Sequence, residues 1–256
     1  KLAILGLGLM GGSLGTALVR RGYAVTGWDV NPAVVKEALA IGAINVWAES
    51  MAAAVRGAGV VFVATPALSI GKVIKEALAY ATPGTVFSDL GSIKGQVIGE
   101  VQGFLPEDYY FVPGHPMTGS ERNGIAAVDP FLFENAAYIL VELPQNPPSQ
   151  FEKVKKIVQG TGAHLIILTA DEHDRITAMV SHLPHLVAAV LAKTAGAAEG
   201  LNPGTLALAA GGFRDTTRIA MGSPELWAGI LSGNREKLLE ALTLYENELV
   251  SFKELL

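Results

Sequence analysis

Cysteine is absent from the 256 residues, which rules out disulfides, thiolate metal ligands and a cysteine nucleophile and is compatible with a reducing cytosol. A basic cluster is missing too. With 19 Lys and Arg against 24 Asp and Glu the net charge is −5, and a nucleic-acid surface needs grouped cations to neutralise phosphates. Although 50% of the residues are hydrophobic, apolar runs such as Val60 to Ala64 and Leu186 to Ala192 fall far short of a spanning helix. Such a helix needs roughly 20 residues. No Gly- or Ser-rich linker, internal repeat or low-complexity tract interrupts the chain. No signal peptide is visible, and Lys1 leads straight into an apolar strand without an initiator methionine. The expectation is a soluble, cytoplasmic protein of one to two domains with a sizeable core, and with neither a membrane nor a nucleic-acid partner.

What the chain does contain is concentrated at its start. Leu2-Ala3-Ile4-Leu5 is a short apolar run, Gly6-Leu7-Gly8-Leu9-Met10-Gly11 follows, and helical spacing continues through Arg21. Strand, G-x-G-x-x-G turn, helix and a second strand from Tyr23 to Trp28 are the context that a dinucleotide fingerprint requires. Gly6 permits the tight turn, Gly8 lets the backbone approach a pyrophosphate, and Gly11 lets the helix pack on the strand. The helix N-terminus offers its N–H groups to the phosphates. Asp29 stands 18 positions beyond Gly11, where a carboxylate accepts hydrogen bonds from ribose hydroxyls and repels a 2′-phosphate, so NAD is favoured over NADP. The alternative is a structural Asp that opens a turn with Asn31 and Pro32.

Strand and helix keep alternating. Ala33 to Ile41 and Ser69 to Ala81 have helical spacing, while Val60 to Ala64 and Thr85 to Asp89 read as buried strands. Such alternation implies a parallel sheet wrapped by helices. Thr65-Pro66 ends the Val60 strand, where a loop borders the nicotinamide half of a cofactor or where the proline simply stops the strand. In Ser88-Asp89-Leu90-Gly91-Ser92-Ile93-Lys94-Gly95, Ser92 is placed to cap a helix starting at Ile93, or to hydrogen-bond a substrate hydroxyl or a neighbouring imidazole. Lys94 reads as a solvated first-turn lysine, the alternative being contact with a phosphate or carboxylate. Tyr109 to Pro113 is a short strand that delivers His115, in the loop Gly114-His115-Pro116-Met117-Thr118-Gly119-Ser120-Glu121, to the sheet edge at which ligands bind. Ala136 to Val141 and His164 to Leu168 are further strands, with a helix from Phe151 to Gln159 between them.

Strand signals stop at Thr169. Asp171 to Ala198, Pro203 to Met221, Pro224 to Ser232 and Arg235 to Leu255 show helical spacing. The expected fold class is α/β, with a Rossmann-type dinucleotide-binding domain over residues 1–168 and an all-helical domain over 169–256. Ala- and Leu-rich faces on several of these helices fit deep burial, including burial against a second copy of the chain. In Ser181-His182-Leu183-Pro184-His185 a proline breaks a helix and two histidines edge a cleft; no established ligand spacing surrounds them, and no metal is expected. In Gly211-Gly212-Phe213-Arg214-Asp215-Thr216-Thr217-Arg218 two arginines share a helix face, either paired with Asp215 at the surface or presenting a planar fork to a substrate carboxylate.

Together, the Gly6 to Gly11 fingerprint, Asp89 to Gly95, Gly114 to Glu121, Ser181 to His185, and Gly212 to Arg218 with Pro224-Glu225-Leu226-Trp227 resemble the prephenate and arogenate dehydrogenases of tyrosine biosynthesis. The resemblance runs over nearly the whole chain in the same order. It implies NAD-dependent oxidative decarboxylation of prephenate to 4-hydroxyphenylpyruvate, or alternatively of arogenate to tyrosine, by a homodimer joined through the helical domain. By the same resemblance His115 is the catalytic histidine and Ser92 its partner, and Arg218 holds a substrate carboxylate. His185, Ser120 and Gly212 line the substrate pocket, and Glu121 stands at its mouth. The nearest rivals, the β-hydroxyacid dehydrogenases, share the glycine loop and Asp29-Val30-Asn31-Pro32, but Lys193 lacks the glycine pattern expected before their catalytic lysine. A non-catalytic NAD sensor would have no use for His115, Ser92 and Arg218 together.

Overall fold

Apolar runs bounded by glycine turns make strands that can be buried on both faces, as a parallel sheet demands. The computed structural model describes residues 1–119 and 122–256. Leu2–Leu5 (β1), Val25–Trp28 (β2), Val46–Trp47 (β3), Val60–Val63 (β4), Val86–Asp89 (β5) and Tyr110–Phe111 (β6) form a parallel sheet in the order β3-β2-β1-β4-β5-β6. Helices Leu9–Arg20 (α1), Pro32–Ala40 (α2), Met51–Val55 (α3), Ile70–Leu78 (α4) and Gly95–Gln102 (α5) connect successive strands. The order reverses between β1 and β4, and sheets of this kind bind ligands outside the carboxyl ends at that point.

Short-range chemistry sets the helix starts. Asn31 Oδ1 accepts from the Ala33 N–H at 3.0 Å, with Pro32 in the first turn of α2, and Ser50 Oγ accepts from the Ala53 N–H at 3.2 Å before α3. Phe62, Val86, Leu14 and Leu18 share one core with Phe151, Val154 and Val158. Burying a side chain of this size is worth about 1.5–3 kcal/mol.

A second sheet lies beyond what the linear pattern indicated. Gly114–Pro116 (β7) runs antiparallel to Ala137–Val141 (β8), which pairs in parallel with His164–Leu168 (β9) through the helix Pro148–Gln159 (α6). His115 therefore lies within a strand, opposite Ile139, and not in a loop at the end of β6. Gly-His-Pro has no strand signature of its own, and pairing with β8 supplies it.

The chain divides into two compact units, Lys1–His173 and Asp174–Leu256. Helix Ala170–Thr177 (α7) continues through a π-helical turn, Ala178–His182, into Leu183–Leu201 (α8), so the break expected at Pro184 does not occur. A proline clashes with the carbonyl four residues back, here Val180, and the π turn opens the helical ladder at that residue. Among the described residues this Ala170–Leu201 helix alone is long and apolar enough, by length and composition, to cross a membrane. Counting uninterrupted apolar residues had not revealed that length. The stretch from Pro203 to Met221 is not one helix but a 3-10 turn, Leu206–Leu208, then Gly211–Thr217 (α9) and a second 3-10 turn, Arg218–Met221. Pro224–Gly233 (α10) and Arg235–Leu255 (α11) complete the helical unit. Its buried core centres on Ala178, Leu183, Leu238 and Ala241, whereas Leu201, Leu208, Val250 and Phe252 are exposed in the single chain.

Candidate active site

The turn from β1 to α1 shows why glycine stands where it does. Gly6 has φ of +90°, and a Cβ there would meet the Ala64 carbonyl oxygen at 2.7 Å; on Gly11 it would meet the Gly6 carbonyl oxygen at 1.9 Å, which would push α1 off the strand. A Cβ on Gly8 would meet nothing within 4 Å among the described residues, so the loop has open space over it with respect to them. Among the described residues no side chain caps the first turn of α1 at Leu9 and Met10, and its N–H groups and dipole suit a phosphate. Asp29 is half-buried, with Oδ2 accepting from the Leu7 N–H at 2.9 Å and Oδ1 from the Asn31 N–H at 2.9 Å. The carboxylate thus braces the glycine loop and the next turn, and each oxygen retains a second lone-pair direction for a ribose hydroxyl. Thr65 Oγ1, just past β4, is buried with no hydrogen-bond partner among the described residues, and the exposed Pro66 follows it. Buried hydroxyls are normally satisfied, so an orphan beside this crevice points to a ligand. These residues fit a dinucleotide.

The end of β5 corrects two expectations. Lys94 is fully buried, not solvated; its Nζ donates to Asp89 Oδ2 and, at 2.6 Å, to the Gly114 carbonyl. Asp89 accepts from the Gly91 N–H at 2.9 Å and, through Oδ1, from the Gly114 N–H at 3.1 Å. With Lys94 turned inward, α5 starts at Gly95, and the half-buried Ser92 does not cap it. One buried ion pair therefore grips both backbone polar groups of the residue before His115. The Tyr138 phenol is pushed above its ordinary pKa by burial and by the Asp89 carboxylate, and it stays neutral.

His115 is buried, and its Nδ1 lies 2.7 Å from Nε2 of His173, with the rings meeting edge to face at 5.0 Å between centroids. Sequence reasoning missed His173. Its neighbours Asp171, Glu172 and Asp174 give the first turn of α7 the look of a solvated face, yet His173 is fully buried. A capping box fixes that turn: Thr169 Oγ1 accepts from the Glu172 N–H at 3.2 Å, and Glu172 Oε2 accepts from the Thr169 N–H at 2.8 Å. The Thr-x-x-Glu spacing was the one available signal of where this helix begins.

In the helical unit, α8 and α10 stack His185 on Trp227 with 3.5 Å between ring centroids and 7° between planes. His182 meets the same indole edge-on at 6.4 Å, and its Nδ1 lies 3.2 Å from Asn234 Nδ2. Burial holds the His185 imidazole below its ordinary pKa, partly opposed by a hydrogen bond to the Ile219 carbonyl. The unfolded chain therefore takes up this proton first: the stability due to neutral His185 is present above the ordinary value of 6.5 and is lost as pH falls through the lower folded-state value. An acid titration followed by tryptophan emission should show this component, and His185→Gln should remove it. An unchanged acid transition in that variant would take His185 out of the account. Gly212 and Arg218 are exposed, and α9 ends at Thr217, so Arg214 and Arg218 do not share the single helix face expected of them. Ser120 and Glu121 lie outside the described residues. Among the described residues no group of three or more His, Cys, Asp or Glu is placed to hold a metal.

Comparison with known proteins adds independent findings. The family model described as prephenate dehydrogenase, nucleotide-binding domain, matches residues 14–167, and that described as prephenate dehydrogenase, dimerization domain, matches residues 169–256. The prephenate dehydrogenase of Bacillus subtilis is 39% identical over 243 residues, covering 93% of this chain and 65% of the relative. That of Lactococcus lactis is 33% identical over 253 residues, covering 97% of this chain and 69% of the relative. The chain thus spans about two thirds of the length of these two relatives. A crystal structure of prephenate dehydrogenase from A. aeolicus in complex with hydroxyphenyl propionate and NAD+ matches with a TM-score of 0.91 at 28% identity, over 99% of this chain and 89% of that one.

Proposed function

The chain belongs to the prephenate dehydrogenase family, and on that premise we propose that it catalyses the NAD-dependent oxidative decarboxylation of prephenate to 4-hydroxyphenylpyruvate. The observation that carries the reading is the buried His115, held through Gly114 by Asp89 and Lys94 in the same unit as a loop that fits a dinucleotide. Residues 1–168 would bind the cofactor, with Gly6 to Gly11 at the phosphates, Asp29 at the ribose, and Thr65 and Pro66 toward the nicotinamide. Residues 169–256 would bind substrate and form a homodimer, a reading supported by the name of the matching family model and by exposed side chains such as Leu208 and Phe252.

NAD, which Gly6 to Gly11, Asp29, Thr65 and Pro66 would hold, would supply the acceptor for the hydride at C4 of the substrate ring. His115 takes the proton of the C4 hydroxyl, and Ser92 orients that hydroxyl. The bond from C1 to the ring carboxylate breaks, CO2 departs, and the electron pair left behind makes the ring aromatic. The phenolate then takes the proton back from His115. Neutral imidazole suits the task because its ordinary pKa of about 6.5 leaves it mostly unprotonated at neutral pH. Arg218 offers a bidentate fork to a substrate carboxylate, and a neutral His185 offers a hydrogen bond without adding charge. The direct test is steady-state NADH formation with prephenate and with arogenate, each with NAD and NADP. NADH formation with prephenate is the expected result; a preference for arogenate would change the side chain recognised, and oxidation of neither would sink the proposal.

A further inference from the structure

We infer that His173 is a positioning residue for His115: it accepts the Nδ1–H hydrogen bond and so fixes the tautomer in which the Nε2 lone pair of His115 is the base. The inference rests on the reading of His115 as proton acceptor and names what makes that ring basic at the required nitrogen. Two ring nitrogens lie 2.7 Å apart, with His173 fully buried and His115 7% exposed. A neutral imidazole carries one N–H, so in such a contact one ring donates and the other accepts. If His115 donates, its proton is on Nδ1 and Nε2 is a lone pair. If His173 donates, His115 carries its proton on Nε2 and cannot take another there. Only the first arrangement can receive the substrate hydroxyl's proton.

Both rings are held from behind. Asp89 and Lys94 fix the backbone next to His115, and the Thr169–Glu172 capping box fixes the helical turn that carries His173. When Nε2 takes the proton, the imidazolium keeps its Nδ1–H on a neutral acceptor, which spreads the charge. A second proton on the pair is disfavoured because two like charges would be buried in contact. A carboxylate in place of His173 would also fix the tautomer, but its negative charge would hold the proton on His115 and slow its return to the product.

His173→Leu, which removes the acceptor, is expected to lower kcat about 10²-fold, the low end of what a general base contributes, with KM for prephenate and NAD little changed. His173→Gln, whose Oε1 can accept in place of Nε2, should recover most of that loss. Wild-type kcat in the Leu variant, or a Gln variant with kcat as low as that of Leu, would overturn the inference. Should the Leu variant not fold, nitrogen NMR of the imidazoles in the full chain decides the matter: neutral His115 is expected with its proton on Nδ1, and a proton on Nε2 overturns the inference. The same measurement separates the two readings, because a wild-type protein that does not oxidise prephenate sinks the proposed function whatever tautomer is found.

Discussion

Replacing His115 by Asn is expected to lower kcat with prephenate by about 10² to 10⁴, the range that a well-placed general base contributes. An amide has no basic lone pair at neutral pH, while its short polar side chain keeps a hydrogen-bonding group where His115 Nδ1 meets His173. Substrate affinity should change little, because the proton moves only as the transition state forms, so kcat and kcat/KM should fall together. Steady-state rates with prephenate and NAD give both numbers. A variant that turns over at the wild-type rate would remove His115 from the proton step.

Lys94→Met should have the largest effect on stability. The substitution keeps the length of the buried chain but leaves the Asp89 carboxylate without its cation and the Gly114 carbonyl without its donor at 2.6 Å. Removing one partner of a buried ion pair typically costs about 3–5 kcal/mol, because the remaining charge is left uncompensated. Urea unfolding measures the cost as a shift of midpoint at constant slope. The double variant Asp89→Asn with Lys94→Met should regain part of it, since the amide oxygen still accepts a backbone N–H and no charge is left buried. If the double variant were no more stable than Lys94→Met alone, the uncompensated charge would not be the cause.

How much of this was legible in the residues alone depended on the distance over which each feature is decided. The glycine loop, the acid after the second strand, the β/α alternation and the wholly helical last third are encoded within a few residues, as turn chemistry and as apolar period, and they led to the fold class and to the family. The direction of Lys94 was not encoded that way. A lysine at a helix start normally faces water, and it turns inward here only because Asp89 and the Gly114 carbonyl, the latter 20 positions later in the chain, meet it in the interior. His173 was hidden for the same reason, masked by acidic neighbours and brought to His115 across 58 positions.

Local spacing therefore determined which elements form and where a cofactor loop lies, because backbone torsions and apolar period act between near neighbours. Which polar side chains are buried, and against what, was decided only by the tertiary structure. A charge or an imidazole leaves water only when a distant partner replaces the hydrogen bonds it gives up, and no stretch of sequence contains both halves of that exchange.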